Sequence, residues 1–305
     1  MSVLPVKRDL ALATSLLVAV LVCAVSAAGL LIGTDRLYGG DPKVALGVAA
    51  SAAGIVVPGF RAHDALNLVF GLPILLATVW LARRGSRMAL LLWPGALFYV
   101  LYTYAQYLVG APFGPLFLAY VALVVLSAYT VIGVVAGVDG EQVRRQLDGV
   151  VPARTVGGIL VGLGLLTLAQ DAGGALATAF AAGATADSIA RHVWIADLTL
   201  EVPAMLVGGV LLWRRAALGY VVGAGLLLQY GMTPVVLAAI IALQPLLTNS
   251  PIDVGTVIAL LVFAAISYVP LALIARGAVG SRPAESAGVA ESMYADGEAL
   301  RRRPS

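Results

Sequence analysis

Long apolar segments and short polar segments follow one another along this chain. Runs of about 20 apolar residues recur, each long enough to cross a bilayer as a helix, and short polar segments separate them. The pattern predicts an all-α, polytopic bundle of about eight transmembrane helices. The predicted spans cover roughly residues 10–33, 64–82, 88–109, 114–136, 155–171, 194–213, 216–238 and 254–275.

The positions of the basic residues predict how these helices are oriented. Cytoplasmic loops of membrane proteins carry an excess of Lys and Arg. With the N-terminus inside, all but four of the 19 basic residues fall in cytoplasmic segments. The four on the outer side are Arg36, Lys43, Arg61 and Arg191. We therefore predict that both termini are inside and that the chain is a multi-pass protein of the cell (plasma) membrane, with the lipid bilayer as its partner.

Two further stretches, residues 44–59 and 173–186, are apolar enough to suggest spans. Counting 44–59 as a span would place the arginines between positions 83 and 87 outside, against the charge bias. We predict that both stretches are interfacial helices or re-entrant segments at the outer face. Residues 276–305 are rich in Gly, Ala, Ser and Pro with mixed charge, and are predicted to form a disordered cytoplasmic tail.

The composition agrees with a membrane protein and excludes several function classes. The chain is 61% hydrophobic and 11% charged, whereas soluble domains are nearer half apolar and a quarter charged. Nucleic-acid binding is not expected, because the basic residues are spread over short loops and form no basic domain. Cys23 is the single cysteine, which excludes an intrachain disulfide and a multi-cysteine metal site.

Two similar heptapeptides suggest an internal repeat. The sequence NLVFGLP at 67–73 lines up with DLTLEVP at 197–203, an offset of 130 residues, and the same offset pairs Gly95 with Gly225. We predict a duplication of four plus four spans, whose halves are parallel because each contains an even number of spans. The predicted divisions are a first four-helix repeat at 1–136, a cytoplasmic linker at 137–153, a second repeat at 154–275 and the tail.

The second heptapeptide carries two acids inside an apolar span. Asp197 and Glu201 are four residues apart and share a helix face, and Glu201 lies about 10 Å from the outer end of the helix. Acids within a membrane are rare and point to a functional site, and one of this pair is expected to carry a proton near neutral pH. Pro203, like Pro73 in the first half, interrupts its helix, as at binding sites of transporter repeats. The alternative is that Asp197 lies among headgroups and Glu201 bonds a neighbouring helix.

Further polar residues are predicted in the outer half of the membrane. The full set of candidates for substrate or ion binding is Glu201, Asp197, Asp64, Asn67, Gln106, Tyr102 and Gln229. The alternative role for the two glutamines is to hold helices together by hydrogen bonds. Tyr104 and Tyr107 are typical of an aromatic belt at the interface. His63 and His192 are weak metal or haem candidates at the outer rim, and we favour interfacial histidines with no metal.

No signature of a known catalytic or nucleotide site is present: HExxH, GxSxG, Walker A and Rossmann glycine patterns are all missing. No cofactor is assigned. The run DLTLEVPAMLVGGVLLWRRAALGY, a polar-headed span that closes on Trp-Arg-Arg and a short turn, resembles uncharacterised multi-pass integral membrane proteins of Ala/Val/Leu-rich, high-GC bacteria. The resemblance covers the two central hairpins and implies neither an activity nor any functional residue.

Three functions are compatible with these features. The leading hypothesis is a small-solute or proton/cation-coupled transporter with a polar pocket in the outer half of the membrane. Eight spans are few for a carrier that acts alone, so a homodimer is expected in that case. The second is a membrane scaffold or accessory subunit. The third is an intramembrane enzyme that acts on an outer-leaflet lipid or quinone, with Glu201 or Asp64 as the acid or base and Tyr102 as a donor.

Overall fold

A computed structural model of the chain describes residues 5–32, 34–37, 59–181, 188–248 and 252–280. These residues are helical apart from short connections. Among these residues, eight helices are long and apolar enough to cross a membrane, which confirms the predicted all-α class and agrees with the eight predicted spans. In chain order the spans are Asp9–Leu31, Phe60–Arg83, Arg87–Gly110, Phe117–Gly137, Ala153–Phe180, Arg191–Trp213, Ala217–Ala242 and Val254–Ala278.

Several helices extend beyond these spans. The first begins at Pro5, the sixth at Ser188, the seventh continues to Thr248 and the eighth to Gly280. Two short helices, Thr34–Leu37 and Gly140–Leu147, lie between spans. The second of them occupies the predicted linker at 137–153, and Asp139 caps its first turn by accepting a hydrogen bond from the backbone of Gln142.

The fifth span is longer than predicted. The helix runs unbroken over Ala153–Phe180, so the prediction of a separate interfacial or re-entrant segment is wrong for residues 173–180. Alanine is the best helix former, and the Ala-rich sequence after Asp171 contains no proline that would end the helix. Residues 182–186 of that stretch, 44–58 of the other and 281–305 of the predicted tail lie outside the described residues.

The second and sixth spans each contain one widened turn. In the second, a π-helical segment Asn67–Gly71 separates the α-helices Phe60–Leu66 and Leu72–Arg83. In the sixth, the π-helical segment Asp197–Glu201 separates Ser188–Ala196 from Val202–Trp213. The two π segments are 130 residues apart and correspond to the two similar heptapeptides.

The prolines account for the position of the π segments. Pro73 and Pro203 lack a backbone N–H and would clash with the carbonyl four residues earlier in a regular α-helix. In both spans the residue before the proline donates instead to the carbonyl five residues back, from Leu72 to Asn67 and from Val202 to Asp197. This π-type turn widens the helix beside the proline, as π-bulges often do at functional sites.

The third and seventh spans form the centre of the bundle. Their most apolar windows are 78% and 72% buried inside the protein, whereas those of the other six spans are at most 44% buried. The first span packs against the second and fourth, and Trp93 on the third donates a hydrogen bond of 3.0 Å to Ser15 on the first. The outer six spans therefore leave large apolar surfaces, such as the one that includes Leu118 (76% exposed), facing away from the bundle.

The arginines that follow the second and sixth spans mark one end of the bundle. We call it the arginine end and define it by Arg83, Arg84, Arg214 and Arg215. The helix Gly140–Leu147 lies there too, and Tyr220 at the start of the seventh span donates a 2.8 Å hydrogen bond to Asp148. The buried acids lie in the opposite half.

Candidate functional site

Two spans from different halves of the chain meet at a buried hydrogen bond. The hydroxyl of Tyr102, on the third span, donates to a carboxyl oxygen of Asp197, in the π segment of the sixth, over 2.5 Å. Tyr102 is 4% exposed and Asp197 is 7% exposed. Asp197 therefore faces the interior of the bundle.

Glu201 lies beside this pair. Nε2 of Gln229, on the seventh span, donates to Oε1 of Glu201 over 3.1 Å. Both side chains are buried, and Glu201 lies near Asp197 and Tyr102. The structure thus brings together four of the predicted site residues: Asp197, Glu201, Tyr102 and Gln229.

A third acid, which the sequence did not single out as a site residue, joins this group. Asp171, on the fifth span, is half-buried, and its carboxyl group lies near that of Asp197. We call Asp171, Asp197 and Glu201 the carboxyl cluster. The sequence predicts that the fifth span ends at residue 171, which makes Asp171 the last residue of that span. The one available signal was the Ala-rich, proline-free sequence after it, which allows the helix to continue.

The carboxyl cluster has no basic partner in the part of the chain that the structure describes. The ion pairs of the described residues, Arg144–Glu141 and Arg215–Asp148, lie at the arginine end. Uncompensated charge is strongly unfavourable away from water. The cluster therefore requires a proton or a bound cation to offset its charge.

Two acceptor atoms at the cluster are also free of hydrogen bonds. Oδ2 of Asp171 and Oε1 of Gln229 are buried, and neither has a hydrogen-bond partner. Gln229 is 0% exposed, and its amide nitrogen is already occupied by Glu201. Buried polar atoms usually have a partner, so this pair of acceptors points to a donor-bearing ligand.

Asp64 belongs to a separate group nearer the end of the bundle. The Tyr107 hydroxyl lies 2.9 Å from a carboxyl oxygen of Asp64 and 2.6 Å from the carbonyl oxygen of Phe60. The His192 ring packs against the Phe60 ring in a tilted arrangement, with 5.3 Å between ring centroids. His63 is close enough to His192 for the two to interact electrostatically. Among the described residues, no group of three His, Cys, Asp or Glu side chains is arranged to hold a metal ion.

The two remaining predicted residues, Asn67 and Gln106, lie on the second and third spans. Tyr99 donates a 3.3 Å hydrogen bond to the amide oxygen of Asn67, whose buried Nδ2 has no partner. Gln106 is buried (5% exposed), and no hydrogen bond joins it to the carboxyl cluster within the described ranges. The prediction of a belt role for Tyr104 and Tyr107 is wrong. Each is 1% exposed, because its hydroxyl finds a polar partner inside, Ser26 in the case of Tyr104.

A similar helix contact occurs in both halves with different chemistry. In the first half the Tyr99 ring packs on Gly71, where an added Cβ would lie 2.8 Å from Cε1 of the ring. The residues 130 positions later are Gln229 and Glu201, which form the hydrogen bond described above. The contact of the Tyr99 ring with Gly71 thus corresponds, 130 residues later, to the hydrogen bond between Gln229 and Glu201. The acid is present only at the second of these two positions.

Comparison of the chain with known protein families, with curated proteins and with solved structures finds no match. The roles of these residues are therefore argued from their geometry.

Proposed function

We propose that this membrane protein is a proton- or cation-coupled transporter of a small solute. The observation that carries the proposal is the carboxyl cluster, three neighbouring acids inside an apolar bundle, without a basic partner among the described residues. Intramembrane acids in such surroundings serve as proton or cation sites in pumps and transporters. Loading and release of the counter-charge would couple ion movement to the conformation of the bundle.

The position of the cluster supports this role. Asp197 and Glu201 lie on the sixth span, whereas their donors Tyr102 and Gln229 lie on the two central spans. A change in the charge of the cluster alters hydrogen bonds that connect these three helices. The π segment places both acids at a point where the helix is already interrupted, a common feature of transporter binding sites.

The proposal includes a four-plus-four repeat, with both termini on the cytoplasmic side of the cell membrane. The repeat is supported by the two π segments, which lie 130 residues apart and precede corresponding prolines. The orientation is supported by the arginine end and the positive-inside rule. Parallel repeats related by an axis along the membrane normal occur in known carriers.

Electrical recordings from proteoliposomes on a solid-supported membrane test the proposal. The purified full-length chain is exposed to jumps in proton or Na⁺ concentration and to a panel of small solutes. We expect transient currents from the wild type and less than a tenth of that current from Glu201→Gln. The amide keeps the side-chain shape and removes the ionisable group, so the fold is expected to persist.

Glu141→Gln is the matched control, because Glu141 is exposed on the short helix at the arginine end and pairs with Arg144. It should behave as the wild type. Wild-type currents no larger than those of empty liposomes would overturn the proposal and favour the scaffold hypothesis. Equal currents from wild type and Glu201→Gln would show that the carboxyl cluster takes no part in transport.

A further inference from the structure

A groove with a volume of about 210 Å³ lies along the side of the bundle, toward the arginine end from the carboxyl cluster. Its walls come from the third, fourth, sixth and seventh spans and are apolar, including Phe98, Ala204, Gly208 and Gly225. Val207 on its rim is 60% exposed, so the groove opens sideways, toward the lipid in a membrane.

The groove begins one helical turn from the polar site on three different helices. Ala204 follows Glu201 by three residues, Phe98 precedes Tyr102 by four, and Gly225 precedes Gln229 by four. Residues three or four apart lie on one face of a helix, and one turn corresponds to about 5–6 Å along the axis. All three steps lead from the polar group toward the arginine end. The groove therefore begins about one helical turn from the buried polar group on each of these helices.

We propose that the cluster and the groove together bind an amphipathic primary amine, with the ammonium group on the carboxyl cluster and the apolar part in the groove. This inference rests on the proposed function, because it assigns the substrate class of the same site. The acids supply negative charge. The unpaired oxygens of Asp171 and Gln229 are acceptors, and a primary ammonium carries three N–H donors.

The sixth span contributes small residues to the wall of the groove. The residues 130 positions before Ala204 and Gly208 are Ile74 and Thr78, both larger. An added Cβ on Gly208 would lie 2.3 Å from a methyl group of Leu226, so an alanine there would require the Leu226 side chain to move. Small side chains therefore leave the groove open near Glu201. Near Gly71, the residue 130 positions before Glu201, the corresponding side chains are larger.

Binding of matched amphiphiles to the full-length protein in phosphatidylcholine nanodiscs tests the assignment. The probes are octylamine, octyltrimethylammonium, octanol and methylammonium, and the measured quantity is saturable binding above that of empty nanodiscs. We expect octylamine to bind at least tenfold more tightly than octyltrimethylammonium, which has charge but no N–H donor. Octanol, which has no charge, should be weaker by a similar factor.

Variants separate the two parts of the site. Ala204→Ile introduces the residue found at the corresponding position of the first half and should weaken octylamine at least tenfold while leaving methylammonium unchanged. Glu201→Gln should weaken both amines at least tenfold. Val210→Leu, on the same helix but outside the groove, is the control and should leave both amines unchanged. Thermal unfolding of each variant shows that it is folded.

Several results would overturn the inference. Equal affinity for octylamine and octyltrimethylammonium would show that the N–H donors of the ammonium group do not contribute to binding. An effect of Ala204→Ile on octylamine no greater than that of Val210→Leu would show that lipid chains alone fill the groove. If ion-jump currents depend on Glu201 but octylamine does not bind, the substrate class is wrong and the transporter proposal stands. If octylamine binds as expected but no current is found, the site stands and the transporter proposal fails.

Discussion

Gly95 and Gly225 touch through their backbones where the third and seventh spans cross. A Cβ built on Gly95 would lie 2.2 Å from the carbonyl oxygen of Gly225, and one built on Gly225 would lie 2.8 Å from the backbone nitrogen of Gly95. The two residues are 130 positions apart, the offset of the proposed repeat. In a two-fold arrangement, equivalent residues contact one another on the axis, so this crossing is where the axis of the repeat would pass.

The crossing gives the first prediction. Gly95→Ala or Gly225→Ala places a methyl group against backbone atoms that cannot rotate away, so the central helices must separate. We expect the free energy of unfolding to fall by about 1–3 kcal/mol, measured by thermal unfolding in detergent. Gly133→Ala is the control, because no atom lies within 4 Å of its added Cβ. A loss of stability for Gly133→Ala as large as that for Gly95→Ala would contradict the packing argument.

A second prediction concerns the hydrogen bond between Tyr102 and Asp197. Tyr102→Phe keeps the ring and removes the donor, which leaves a buried carboxyl oxygen without its partner. We expect a loss of stability of about 1–3 kcal/mol and a fall in ion-jump current of at least fivefold. Tyr129→Phe, on a side chain that is 73% exposed, should change neither quantity. The role of Tyr102 would be disproved if Tyr102→Phe retained the full wild-type current.

The π segments allow a third, paired prediction. Deleting Thr199 removes one residue from the π segment of the sixth span and allows a regular α-helix. The wide turn is then lost, which changes the angular position of Asp197 relative to Glu201 and moves its carboxyl group away from Tyr102. We expect folded protein, measured by size-exclusion chromatography, with less than a tenth of the wild-type current.

Deleting Val69, the residue at the corresponding position of the second span, is the matched comparison. It disturbs the contact between Asn67 and Tyr99 and leaves the carboxyl cluster in place, so at least half of the current should remain. Identical behaviour of the two deletions would show that the π segments contribute only to folding.

A fourth prediction tests the orientation. In a Cys23→Ala background, single cysteines at Pro112 and Asp253 should react with an impermeant maleimide added to intact cells. Cysteines at Ser86 and Arg145 should react only after the membrane is opened. All four positions lie between spans. Labelling of residue 86 in intact cells would reverse the predicted topology and place the carboxyl cluster in the inner half of the membrane.

The fold class could be predicted from the sequence because its determinants are local. A helix that crosses a bilayer needs about 20 apolar residues, and each of the eight runs meets this requirement within its own segment. The acid pair was equally visible, since Asp197 and Glu201 interrupt an apolar run and charged groups are rare there. The repeat offset was visible as well, and it relates the two π segments.

Other features depend on contacts between distant segments. The partner of Asp197 is Tyr102, 95 residues earlier, and that of Tyr104 is Ser26, 78 residues earlier. Hydropathy describes how apolar a helix is but does not determine which face meets which neighbour. The predicted belt role of Tyr104 and Tyr107 was wrong for this reason.

The sequence by itself determined that this protein is a bundle of eight apolar helices with acids placed where a bilayer disfavours them, because length and hydropathy act residue by residue. Only the tertiary structure decided that Asp171 lies near Asp197 and Glu201, that Tyr102 and Gln229 supply donors to Asp197 and Glu201, and that an apolar groove lies toward the arginine end from this group. Those features arise from how helices rotate and cross, which is set by packing over the whole bundle, as at Gly95 and Gly225.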